Sequence, residues 1–110
     1  MKHTLILIGT IFVLVSCHPN NFKTEFDFAN KLAQQGLWKE AHFRWEKAVT
    51  QEKETAAIHN NLAIYYEKIG KSEKAEAAYK KALKLEPQNK YILSNYKKFK
   101  EKDEKKKNEK

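Results

Sequence analysis

A single cysteine, Cys17, excludes an intramolecular disulfide framework and any all-cysteine metal site in this chain of 110 residues. Three glycines are too few for most phosphate-cradling loops, and neither G-x-G-x-x-G nor G-x-x-x-x-G-K occurs. His18, His42 and His59 form no i, i+4 pair with one another and no H-E-x-x-H. Carboxylates are plentiful but interleaved with lysine, as in Glu73-Lys74-x-Glu76 and Glu101-Lys102-Asp103-Glu104-Lys105. That interleaving is the pattern of solvated helix faces rather than of a paired acid and base. No enzyme, metal, cofactor or small-molecule substrate is expected from these residues. The length allows one small domain. A balance of 22 Lys+Arg against 14 Asp+Glu, formally +8, permits an acidic partner without identifying one.

The longest apolar run lies at the start. Met1-Lys2-His3-Thr4 precedes Leu5 to Val15, interrupted only by Gly9 and Thr10, and Ser16-Cys17 follows. A short basic start, an apolar stretch and small residues at its end describe a secretory signal over residues 1–16. A membrane span needs about twenty apolar residues, more than this run supplies. Leu14-Val15-Ser16-Cys17 resembles the bacterial lipobox. The resemblance implies cleavage after Ser16, a thioether-linked diacylglycerol on Cys17 and a further acyl chain on the new amine, palmitate being the usual kind. Two or three chains hold where one is marginal, since each buried methylene contributes roughly 0.8 kcal/mol. Residues 17–21, Cys17-His18-Pro19-Asn20-Asn21, then read as the lipidated end and a polar tether. The expected location is the extracytoplasmic side of a bacterial envelope, on the periplasmic face of the outer membrane where there is one.

The middle of the chain repeats itself. A shift of 34 residues aligns Ala29 with Ala63, Gly36 with Gly70, Ala41 with Ala75, Lys47 with Lys81 and Ala48 with Ala82. It also brings Phe28 onto Leu62, Leu32 onto Tyr66, Trp45 onto Tyr79 and Val49 onto Leu83. Each copy carries an apolar stripe at helical spacing, a glycine suited to ending a helix, and a second stripe. Gln35 and Ile69 close the first stripes, and Ser72 is placed to cap the helix after Gly70. Alanines at Ala63 and Ala75 would let the two backbones approach, with Tyr66 and Tyr79 filling the space around them. Asn89 is placed to cap a fifth helix whose Ile92, Tyr96 and Phe99 (or Leu93 and Tyr96) face back onto the second repeat. The stretch after Phe99 holds no apolar residue and is expected to fray into a solvated tail.

The second copy, Leu62-Ala63-x-x-Tyr66-x-x-x-Gly70-x-x-x-x-Ala75-x-x-x-Tyr79-x-x-Ala82-x-x-x-x-Pro87, resembles the tetratricopeptide repeat. The first copy matches the same pattern from Phe28-Ala29 through Gly36, Ala41, Trp45 and Ala48, but reaches Lys53 where the family often has proline. Glu25 and His59 stand where a large aromatic usually opens the first helix, which explains them as repeat-start residues. The resemblance implies an all-α, short right-handed solenoid. Its parts would be repeats over 22–53 and 56–89, a capping helix over 90–99 and a basic tail over 100–110. Two repeats are fewer than the three such arrays usually need, so help from a partner or weak self-association is expected.

The resemblance also implies a concave groove, lined by Phe26, Asn30, Ala33, Asn60, Ile64 and Glu67. Phe26 has two readings, as a groove anchor or as part of a cap with Phe22 and Phe28 over the solenoid's start. Phe43 lies away from the Ala41/Trp45/Ala48 stripe and is expected to be exposed. A carboxylate clamp is not expected, because Phe26 replaces its first lysine and only Asn61 of the pattern remains. The expected function is a non-catalytic, membrane-anchored adaptor that binds an envelope protein in assembly or secretion. The alternative is a basic surface-binding protein whose lysine-rich tail contacts anionic lipid or an envelope polymer. Nucleic acid fits poorly, since lysines alternate with acids and Arg44 is the single arginine.

Overall fold

The computed structural model describes residues 22–51 and 54–110. The expected leader over 1–16, Cys17 with its tether to Asn21, and the close of the first repeat at Lys53 lie outside the described residues. Those described form five helices and no strand: α1 (Phe22–Gln34), α2 (Trp38–Gln51), α3 (Ala56–Lys68), α4 (Ser72–Leu85) and α5 (Lys90–Asn108).

Short turns at Gln35–Leu37 and Ile69–Lys71 fold α1 against α2 and α3 against α4, giving two helix hairpins. Both turns use one device. Gly36 and Gly70 have φ of 80° and 73°, the left-handed region where a side chain would be strained. Leu37 N–H donates to the Leu32 carbonyl and Lys71 N–H to that of Tyr66, each at 2.9 Å, and each glycine N–H bonds back three residues. This is the Schellman closure, which satisfies carbonyls left over at a helix end. Two helix starts are capped as well: Thr55 accepts from Ile58 N–H, and Asn89 Oδ1 accepts from Tyr91 and Ile92 N–H. Ser72 does not cap α4. It is the first helical residue, and Lys71 occupies the cap position without a side-chain hydrogen bond.

The core follows the aligned positions. Ala29, Ala41, Ala63, Ala75 and Ala82 have no exposed surface, and Ala48 is nearly as buried. Small side chains there let the helices of each hairpin close on one another. Trp45 and Tyr79, one period apart, are the largest fully buried side chains, joined by Ile58 and Ile92. Leu62 is buried and Tyr66 half-buried against the same core. Ile69 and Gln35 fall in the turns and are exposed. Pro87 lies in the exposed link from α4 to α5.

Contacts of α2 with α3 and of α4 with α5 then stack the hairpins into a short solenoid. Ile92 and Phe99 of α5 are buried, whereas Leu93 is 42% exposed, so the Ile92/Tyr96/Phe99 stripe is the packed one. The segment expected to fray does not: α5 continues as helix through Asn108. One i,i+4 pair supports its last turns, Asp103 lying 2.7 Å from Lys107.

Candidate functional site: a recess across the first helices of the repeats

Asparagines at the hairpin junctions tie the helices together. Asn30 Oδ1 on α1 accepts from Trp45 Nε1 at 3.0 Å and from Asn61 Nδ2 at 2.9 Å, joining α1, α2 and α3 through one atom. At the next junction Asn95 Nδ2 donates to Asn60 Oδ1 at 3.1 Å, joining α5 to α3. Asn61 and Asn95 are one period apart, so the 34-residue repeat extends in the sequence into α5.

The α1–α3 junction opens as a recess of about 510 Å³. Asn30, Ala33 and Gln34 of α1, Trp38 and Trp45 of α2, Asn61 and Ile64 of α3, and Tyr91 of α5 line it. Trp38 is half-buried, its ring 6.5 Å from that of Trp45 and covered by Lys68 Nζ at 4.4 Å. The lining combines indole and aliphatic surface with amide groups, a composition that accepts an apolar side chain and hydrogen-bonds the peptide beside it. A second recess of about 310 Å³ lies between α3 and α5, lined by Ile64, Glu67, Lys68, Ser72, Phe99, Lys102, Asp103 and Lys106. Its charges are mixed, and Glu67 Oε2 there accepts the Tyr79 hydroxyl at 2.6 Å. Burial first, then that bond, pushes the Tyr79 phenol far above its ordinary range, so it stays a neutral donor.

The six groove residues read from the sequence therefore separate. Asn30, Ala33 and Ile64 share the first recess, and Ile64 and Glu67 border the second. Asn60 is 2% exposed and hydrogen-bonded to α5, so it is a junction residue and not a groove contact. Phe26 lines neither recess and packs, half-buried, against the core. Gln34, Trp38, Trp45, Asn61 and Tyr91 are lining residues the sequence reading did not select. Phe43 is 68% exposed, on a different face from either recess.

Polar clusters elsewhere are structural in their geometry. His42 stacks on Tyr65 with ring centroids 4.3 Å apart, and its Nε2 lies 3.3 Å from Glu46 Oε1 and 3.4 Å from the Tyr66 hydroxyl. Tyr66 in turn donates to Glu46, and burial followed by the Glu46 charge raises its pKa, which keeps it a protonated donor. Glu25 is buried and bonded to Arg44 at 2.9 Å, with Lys47 at 3.8 Å. The Arg44 hydrogen bond leads in holding its carboxyl below the usual range. Among the described residues, no group of three His, Cys, Asp or Glu is arranged to hold a metal ion. No helix among them is long and apolar enough to cross a membrane.

The paired helices, the left-handed glycines and the alanine contacts of α3 and α4 coincide with one family pattern. Residues 56–89 match the tetratricopeptide repeat. No curated protein matches the chain. The five helices form a short all-α solenoid of tetratricopeptide type, with the matched repeat at its centre. Tetratricopeptide repeats are generally non-catalytic scaffolds for protein–protein interaction.

Proposed function

We propose that this protein is a lipid-anchored adaptor of the bacterial cell envelope, holding a segment of another envelope protein in the recess between α1 and α3. The carrying observation is the lining itself. Trp38, Trp45, Ala33 and Ile64 offer an apolar floor, and Asn30, Gln34 and Asn61 surround it with amides. Aromatic side chains in such a recess are favoured anchors for a bound segment. The anchor rests on the apolar run and Leu14-Val15-Ser16-Cys17, where two or three acyl chains on Cys17 would confine the domain to the membrane surface. Confinement raises the local concentration of a membrane partner without adding a contact.

Two measurements test the two halves of this reading. Mass spectrometry of the protein purified from membranes should show an N-terminal Cys17 carrying diacylglycerol. An unprocessed or unmodified chain refutes the anchor. Crosslinking in membranes followed by purification should recover one recurrent protein with the wild type. Ile64→Asp combined with Gln34→Asp should lose it while circular dichroism stays unchanged, and undiminished capture by that variant refutes the recess as the binding site.

A second reading, contact of the lysine-rich segment with anionic lipid, draws on one observation. α5 stays helical to Asn108 and exposes Lys97, Lys98, Lys102, Lys105, Lys106 and Lys107. Association that falls steeply with salt would favour it over the recess.

A further inference from the structure

The face of α1 and α2 that turns away from the second repeat has an internal counterpart. It is a shallow groove of about 500 Å³ lined by Phe28, Leu32, Lys39, Glu40, Phe43 and Arg44. One period later stand Leu62, Tyr66, Glu73, Lys74, Ala77 and Ala78. Five of these six border the junction where α2 lies against the second repeat, alongside Glu46, Val49 and Thr50 of α2. Covered by a helix, Leu62 is 6% exposed. Its equivalent Phe28 is 44% exposed, and no described helix covers it. Phe43, at the position of Ala77, is 68% exposed and stands beside the groove. The apolar floor of this surface is covered in the second repeat, where Leu62 and Ala78 are buried, and is exposed among the described residues of the first at Phe28, while Phe43 is exposed as Ala77 is.

We propose that this open face pairs with the same face of a second copy of the chain, about a two-fold axis. Three observations choose that occupant. The patch holds both parts of an interlock: the protruding Phe43, and the groove of Phe28 and Leu32 with Arg44 seated 4.7 Å over the Phe28 ring. An isologous contact needs such a self-complementary patch, in which each residue meets the other's partner. The rim carries both signs, Glu40 beside Lys39, so a two-fold rotation can set Glu40 of one copy against Lys39 of the other, Arg44 being already paired with Glu25. End-to-end stacking is disfavoured, because α5 presents exposed lysines that would approach Lys39 as like charges. Dimerisation would also continue the helix packing beyond the two hairpins of one chain.

The test is sedimentation equilibrium of the full chain as purified from membranes in density-matched detergent. A reversible monomer–dimer equilibrium is expected. Phe43→Asp should weaken it by about thirtyfold or more, as for the loss of an interface anchor, and Phe43→Leu should retain it. Phe43 is mostly exposed, so both variants should keep the wild-type helical signal. A monomer at concentrations up to about 100 μM overturns the proposal. That result would assign the face to residues 1–21 of the same chain or to a different protein. A dimer indifferent to Phe43→Asp also overturns it, by placing the contact elsewhere. Because Phe43 and the α1–α3 recess lie on different faces, loss of dimer and loss of partner capture are separable results.

Discussion

Glu25 and His59 occupy equivalent positions one period apart, both are buried, and their chemistry diverges. Glu25 keeps its charge because Arg44 and Lys47 answer it. His59 has Nε2 3.5 Å from Glu54 Oε1 but without a hydrogen bond, and Lys81 opposes protonation. Burial leads in lowering the His59 pKa, with Glu54 working against it. The folded state therefore binds fewer protons than the unfolded chain once pH drops below the ordinary value of 6.5. Its stabilising contribution is full above that value and is lost as pH falls below it. Glu25, also lowered, contributes above its ordinary 4.5 and loses that contribution at lower pH. The urea midpoint should accordingly fall in two separate stages from about pH 8 to about pH 3. His59→Leu should remove the upper stage alone. An upper stage that survives in that variant would have to come from another group.

Among the elements, the turns carry the clearest instruction. An added Cβ would meet no atom within 4 Å at Gly36 or Gly70, so space is not what keeps glycine there. The left-handed φ is. Gly36→Ala and Gly70→Ala should each cost roughly 1–2 kcal/mol, read from the shift in urea midpoint. Neutral substitution at both sites would show that the turns relax out of the Schellman geometry. α5 is the element whose role the sequence reading understated. Ile92, Asn95, Tyr96 and Phe99 stand 34 residues after Ile58, Asn61, Leu62 and Tyr65, so α5 takes the place of a third repeat's first helix. The repeat was visible in two copies because glycine and alanine recur there. In the third, Ile92 and Asn95 repeat Ile58 and Asn61, but Tyr96 and Phe99 stand where the second copy has Leu62 and Tyr65, and Lys97 and Glu104 replace the alanine and glycine that mark the repeat.

Across the chain, α5 divides into a packed half and a solvated half. Tyr79, Tyr96 and Phe99 form a ring cluster with centroids 5.5 to 6.3 Å apart, and Tyr96 donates to Glu76 on α4. Beyond Phe99 only Asp103 is partly covered. Removing residues 100–110 should therefore change unfolding free energy by less than about 1 kcal/mol while shortening the helical signal. Removing everything from Lys90 onward bares Tyr79 and unties Asn60, and should abolish cooperative unfolding. A large loss from the shorter truncation would show that the lysine-rich turns pack on something beyond one chain.

Periodicity, glycine placement and small residues at fixed intervals were enough to specify helices, hairpins and their order, because those depend on local geometry and on which face is apolar. The alanines, Trp45 and Tyr79 were readable as core for that reason. Which polar residue faces a recess depends on how one hairpin sits on the next. The pairings Asn61 to Asn30 and Asn95 to Asn60 are contacts between helices more than thirty residues apart in the chain. They withdrew Asn60 into a junction and brought Trp38, Asn61 and Tyr91 to the recess, through stacking that no single helix encodes.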